Sequence, residues 1–108
     1  MMDRREETIF QMILHSGNGK SLAMEAISFA RMDNFSEAEN ALKEAEKEIN
    51  EAHRVQTALI QEEVRGKGIP VSLLMVHAQD HLMTAITVKE LANELIRLYR
   101  KMNGGEKE

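Results

Sequence analysis

Cysteine is absent from the 108 residues, which removes disulfides, thiolate metal sites and cysteine nucleophiles from consideration. Proline occurs once, at Pro70, and glycine is confined to a few places, so few breaks interrupt the chain. No apolar run approaches the roughly 20 residues that cross a bilayer. The first residues, Met1-Met2-Asp3-Arg4-Arg5-Glu6-Glu7, do not form the apolar segment of a secretion signal, and a cytoplasmic address is expected. Basic clusters are missing too. A net charge of -4 gives a nucleic-acid partner no electrostatic footprint.

What remains is a single small domain with limited room for a core of its own. Its hydrophobic fraction of 43% and charged fraction of 30% belong to a soluble globular chain rather than a disordered one. Between the few glycines the sequence is rich in Ala, Leu, Glu, Lys and Met, all good helix formers. A first helix is expected from about Asp3 to Met32, with Ile9, Ile13, Ser16, Ala23, Ile27 and Ala30 at three- and four-residue steps. Gly17-Asn18-Gly19 falls inside it and predicts a kink, a bulge or a break, or a place where another backbone or a ligand comes close. Asp33-Asn34-Phe35 reads as a turn. Ser36 and Glu39 then stand in the Ser-x-x-Glu relation of a capping box, and Glu39 with Lys43 has the spacing of a surface pair. The stripe Ala38, Leu42, Ala45, Ile49, Ala52, Gln56 and Leu59 carries a second helix to about Val64.

Gly66-Lys67-Gly68 stops that helix, and Ile69-Pro70-Val71 is extended because the residue before proline avoids helical geometry. Ser72 is placed to cap a third helix running to about Met102, followed by a tail from Asn103 to Glu108. Three long helices with short connections predict an all-α, antiparallel up-down-up three-helix bundle. The third helix carries two rows at heptad spacing. Leu74, Ala78, His81, Ala85, Val88, Ala92, Leu95 and Tyr99 are apolar enough to face the core. Leu73, His77, Asp80, Thr84, Thr87, Leu91, Glu94 and Leu98 form a second row, with polar groups in its first half. One three-helix bundle has no use for a second patterned face; self-association along this helix does.

His77, Asp80 and His81 fall at i, i+3 and i+4 and share a face. A neutral imidazole carries a nitrogen lone pair that can attack phosphorus, and a nearby carboxylate or second imidazole can fix its tautomer. Side chains lean toward the helix N-terminus, so a group on His77 is expected over the turn of Leu73 and Leu74. Spacing alone leaves three readings open: a phosphoryl carrier, a metal site built on His-x-x-x-His, or a helical scaffold whose polar seam is structural. A zinc hydrolase of the His-Glu-x-x-His type is excluded, because Ala78 stands where that mechanism needs its base.

The run Val76-His77-Ala78-Gln79-Asp80-His81-Leu82-Met83-Thr84-Ala85 resembles the active-site signature of enzyme IIA of the lactose/cellobiose class in the sugar phosphotransferase system. His15-Ser16-Gly17-Asn18-Gly19-Lys20-Ser21 is similar to that family's first-helix motif, usually His-Gly-Gly-Asn-Ala-Arg-Ser, and departs from it at Ser16, Gly19 and Lys20. The resemblance implies that His77 is the phosphorylated residue and that His81 is a supporting residue beside it. It also implies that Asp80 gathers with its copies around a divalent ion, expected to be Mg²⁺, on the axis of a nine-helix homotrimer. The implied donor is the histidine phosphocarrier protein HPr. The implied acceptor is the cognate enzyme IIB, and the implied role is uptake of a lactose- or cellobiose-type disaccharide. His15 and His53 are expected to be dispensable.

Overall fold

In a computed structural model that describes residues 3–104, the chain forms α1 (Arg4–Arg31), α2 (Phe35–Val64) and α3 (Leu73–Met102). Helix α1 opens with a capping box. The Asp3 carboxylate accepts from the Glu6 N–H at 2.8 Å, and the Glu6 carboxylate accepts from the Asp3 N–H at 3.1 Å. This satisfies two of the donors that a helix start leaves orphaned. At its other end the Asn34 N–H reaches back to the Phe29 carbonyl at 2.9 Å, with Asp33 in the left-handed region at φ 64°. Aspartate tolerates that conformation better than most residues, so the chain reverses within three residues.

Two local expectations are corrected. Helix α2 begins at Phe35, with Asn34 as its N-cap and no side-chain cap bond, so Ser36 and Glu39 form no capping box. The Glu39 carboxylate is engaged across the bundle by Arg100, whose guanidinium also lies 5.3 Å from the centre of the Phe35 ring. That partner takes Glu39 away from the Ser36 backbone and from Lys43. Nor does Gly17-Asn18-Gly19 break α1, which runs through it as continuous helix. A Cβ on Gly19 would sit 2.6 Å from Ile49 Cγ1 and 3.3 Å from the Ala45 carbonyl. The missing side chain is what lets α2 come so close.

The end of α2 is closed by Gly66 at φ 80°, with the Lys67 N–H on the Glu62 carbonyl at 2.9 Å and the Gly66 N–H on the Glu63 carbonyl at 3.0 Å. Both bonds satisfy carbonyls that the last turn would otherwise leave unpaired. After the extended Ile69-Pro70-Val71 link, Ser72 caps α3 by accepting from the Met75 N–H at 3.1 Å. Asn103 and Gly104 close the helix; the remainder of the expected tail lies outside the described residues.

Three layers of buried residues fix the topology. Ile9 and Met12 meet Ile49, Ala52, Ala78 and Leu82 at one end, and Ala23 meets Ala45 and Ala92 in the middle. At the other end Ala26 and Ala30 meet Ala38, Ala41 and Ile96. The order rises along α1, falls along α2 and rises along α3, which is the up-down-up bundle. Helix α1 packs against both neighbours, while α2 and α3 touch each other least. The core is mostly alanine, so the helices lie close. Leu82 is the largest aliphatic side chain of α3 to be fully enclosed, a burial that stabilises by about 1.5–3 kcal/mol. Ala78, Ala85 and Ala92 of the expected core row are buried as well. Every member of the second row, from Leu73 at 85% exposure to Leu98 at 52%, faces outward. No helix among the described residues is long and apolar enough to cross a membrane.

Candidate functional site

Helix α3 begins one turn before His77, and its capping by Ser72 leaves the imidazole near the helix start. His77 is exposed, whereas His81, one turn further on, is half-buried. The two rings meet edge to face, with centroids 4.5 Å apart and planes at 87°. Burial is the main force holding the His81 pKa below the ordinary imidazole value. Repulsion from His77 and Lys20 acts in the same direction, and Asp80 opposes it in part. Neutral His81 is therefore the favoured form. Its Nδ1 is buried without a hydrogen-bond partner, as is the hydroxyl of Ser16 on α1.

Asp80 is exposed and makes no hydrogen bond to either imidazole among the described residues, so its influence on His81 is electrostatic. Of the carboxylate and the second imidazole spaced to orient His77, it is His81 that makes the contact. Next to Asp80, Gln79 accepts from the Gln56 amide at 2.7 Å. Both glutamines edge a groove of about 320 Å³ between α2, the link and α3, with Leu59, Ile69 and Met75 in its wall. Among the described residues no three histidine or carboxylate side chains gather to hold a metal; one chain brings Asp80 alone.

The other histidines lie elsewhere. His53 is exposed on α2. His15 Nδ1 is 2.9 Å from Glu48 Oε1, which also accepts from the Asn18 amide at 3.1 Å. His15 thus has a carboxylate partner that its own helix does not supply. Lys20, on α1, adds to the repulsion that disfavours a proton on His81. Its side chain is half-buried.

Residues 7–100 match the family described as "PTS system, Lactose/Cellobiose specific IIA subunit". Over 102 residues the chain is 52% identical to the lichenan-specific phosphotransferase enzyme IIA component of Bacillus subtilis (strain 168), covering 94% of this chain and 93% of that one. Its fold superposes with a TM-score of 0.94 on the crystal structure of the PTS cellobiose-specific enzyme IIA from Bacillus anthracis, at 53% identity and with 98% and 97% of the two chains covered. A chain in the solution structures of the IIA(Chitobiose)-HPr complex, from the N,N'-diacetylchitobiose branch of the Escherichia coli phosphotransferase system, gives a TM-score of 0.81. It is 38% identical, with 94% and 99% covered. With the helix order, the His77 signature and these matches in agreement, the chain belongs to the lactose/cellobiose-specific IIA subunits of the phosphotransferase system.

Proposed function

We propose that His77 is the phosphoryl acceptor of this IIA subunit, taking the group from phospho-HPr and passing it to the cognate enzyme IIB for uptake of a lactose- or cellobiose-type disaccharide. The observation that carries the reading is the pair of imidazoles at the start of α3: one exposed, the other half-buried and kept neutral beside it. In the forward step the lone pair of one His77 nitrogen forms a bond to phosphorus. The bond from phosphorus to the donor's histidine breaks, and its electron pair returns to that imidazole. Transfer to enzyme IIB repeats the exchange with His77 as the leaving group. His81 supports His77 by ring contact and stays uncharged, so it sets no cation against the proton-bearing nitrogen. A structure with HPr bound to a chain of the same fold is consistent with HPr as donor.

Asp80 belongs to a second part of the proposal, a homotrimer packed along the outward row of α3 with a divalent cation, Mg²⁺ by its chemistry, on the axis. The residue fits that role: its carboxylate is exposed, takes no hydrogen bond among the described residues, and offers the hard oxygen such a cation requires. The three copies of Asp80 would hold the ion, and the ion would neutralise their mutual repulsion.

Incubation with phosphoenolpyruvate, enzyme I and HPr, followed by intact mass, tests the assignment. The parent is expected to gain one phosphate and His77→Ala none, with helix content and oligomer size unchanged. His15→Ala and His53→Ala are expected to gain it like the parent. A His77→Ala protein that still takes one phosphate moves the site elsewhere, and a parent that takes none returns the chain to a scaffold role.

A further inference from the structure

The two nitrogens of the His81 imidazole lie in different surroundings. Nδ1 is buried and makes no hydrogen bond. Nε2 makes none either among the described residues, yet it is not one of the enclosed atoms, so solvent reaches that edge of the half-buried ring. A neutral imidazole holds its proton on one nitrogen or the other, and a hydrogen bond normally decides which. Here burial decides. A lone pair on Nδ1 leaves an acceptor idle, whereas a proton there would bury a donor without an acceptor, the rarer and costlier arrangement. The neutral ring therefore carries its proton on Nε2. A charged ring carries one there as well, so the donor at the accessible edge does not depend on the charge of His81.

Helical side chains lean toward the N-terminus of their helix. The outer end of the His81 ring, which carries Nε2, thus reaches back toward the turn of His77. The two rings touch, with centres 4.5 Å apart and planes at 87°, and His77 is exposed. An idle N–H at the rim of such a contact adds nothing to the resting fold. It gains a partner when an acceptor arrives on His77. A phosphoryl group brings three strong acceptor oxygens and close to two negative charges, and a hydrogen bond to an ionised acceptor is about twice as strong as one between neutral groups.

We propose that His81 binds the phosphoryl group on His77, its Nε2–H donating to a phosphoryl oxygen while Nδ1 stays unprotonated in the interior. This rests on His77 being the acceptor. No bond to phosphorus forms at His81, and its proton remains on Nε2 before and after transfer. The donor also fixes where the group lies. It is held on the His81 side of His77, and not over Leu73 and Leu74, where side-chain lean alone would carry it.

Long-range proton–nitrogen NMR of the parent reads the tautomer directly, before and after phosphorylation by phospho-HPr. The His81 proton is expected on Nε2 in the free protein, with its resonance moved downfield in the phosphorylated one. In parallel, His81→Gln and His81→Asn are equilibrated with HPr and its phosphorylated form, and the phosphorylated fractions are read by intact mass. The Gln amide nitrogen stands in the place of Nε2, and that of Asn in the place of Nδ1. His81→Asn is expected to take phosphate on His77 with an exchange equilibrium about tenfold less favourable, the size of one charge-assisted contact. His81→Gln is expected to recover most of that loss. Thermal melts of the unphosphorylated proteins check the fold, and the NMR measurement decides alone should a variant not fold. A proton found on Nδ1, an Nε2–H unmoved by phosphorylation, or exchange equilibria equal in His81→Asn and His81→Gln overturns the assignment of His81 and leaves His77 in place. Absence of phosphate from the parent overturns the reading of His77 instead.

Discussion

Gly17 and Gly19 are two residues apart in α1 and serve different ends. Around Gly17 there is nothing within 4 Å of an added Cβ, while at Gly19 the same atom meets Ile49 and the Ala45 carbonyl. Substitution by alanine should therefore have opposite signs. Gly17→Ala is expected to stabilise by about 0.5–1 kcal/mol, because alanine is the better helix former and leaves the unfolded chain less freedom to lose. Gly19→Ala gains the same propensity but forces Ile49 from a filled core, and a net loss of about 1–2 kcal/mol is expected. Adding Ile49→Val should recover part of it, through a coupling that a double-mutant cycle measures. Urea melts showing the two alanine substitutions alike in sign would contradict this account. The sequence narrowed Gly17-Asn18-Gly19 to a break or a close approach. The choice lay with Ile49, thirty residues away, which no local pattern of α1 contains.

Helix boundaries were legible where the signal is local. Ser72 caps α3 and Gly66 ends α2 as their residue types suggest, since a hydroxyl bond to the third N–H and a left-handed glycine are decided within a few residues. Ser36-x-x-Glu39 misled for the opposite reason: a cross-bundle arginine, Arg100, outcompetes the local cap. Asp3-x-x-Glu6 has the same spacing, and there the box forms. Between α1 and α2 the His15–Glu48–Asn18 cluster supplies a pH test. The hydrogen bond with His15, then that with Asn18, holds the Glu48 carboxyl below the usual carboxylate range. As pH falls, the unfolded chain protonates this group before the folded one does. The contribution of Glu48 is therefore full above the ordinary carboxylate pKa, and is lost as pH drops through that range toward the lower folded value. Glu48→Gln should flatten the acid limb of a stability profile and leave its neutral limb nearly parallel to the parent's. Equal slopes below pH 5 (roughly where such carboxylates begin to titrate) would dissociate Glu48 from the acid response.

At the scale of the molecule, a rod of 54 × 28 × 18 Å leaves an outward row along all of α3, and the heptad spacing of that row was visible before any coordinates. What lies opposite the row was not, because one helix's periodicity marks a face to be covered without specifying the surface that covers it. If three copies meet there, the Asp80 carboxylates repel, and unpaired buried charge costs several kcal/mol unless a cation intervenes. Asp80→Leu is expected to give a trimer at least as stable as the parent and indifferent to EDTA, whereas the parent should lose thermal stability in EDTA. Sedimentation and melts of both proteins decide this; an Asp80→Leu protein that falls to monomers, or a parent that ignores chelator, removes Asp80 from the axis. Helix α1, finally, presents Ser16, Gly19, Ala23, Ala26 and Ala30 as a buried face touching both other helices. Any enlargement on that face pushes two interfaces apart at once. Variation accumulating in such a chain is confined by side-chain volume along α1, and is nearly free on the outer surface of α2.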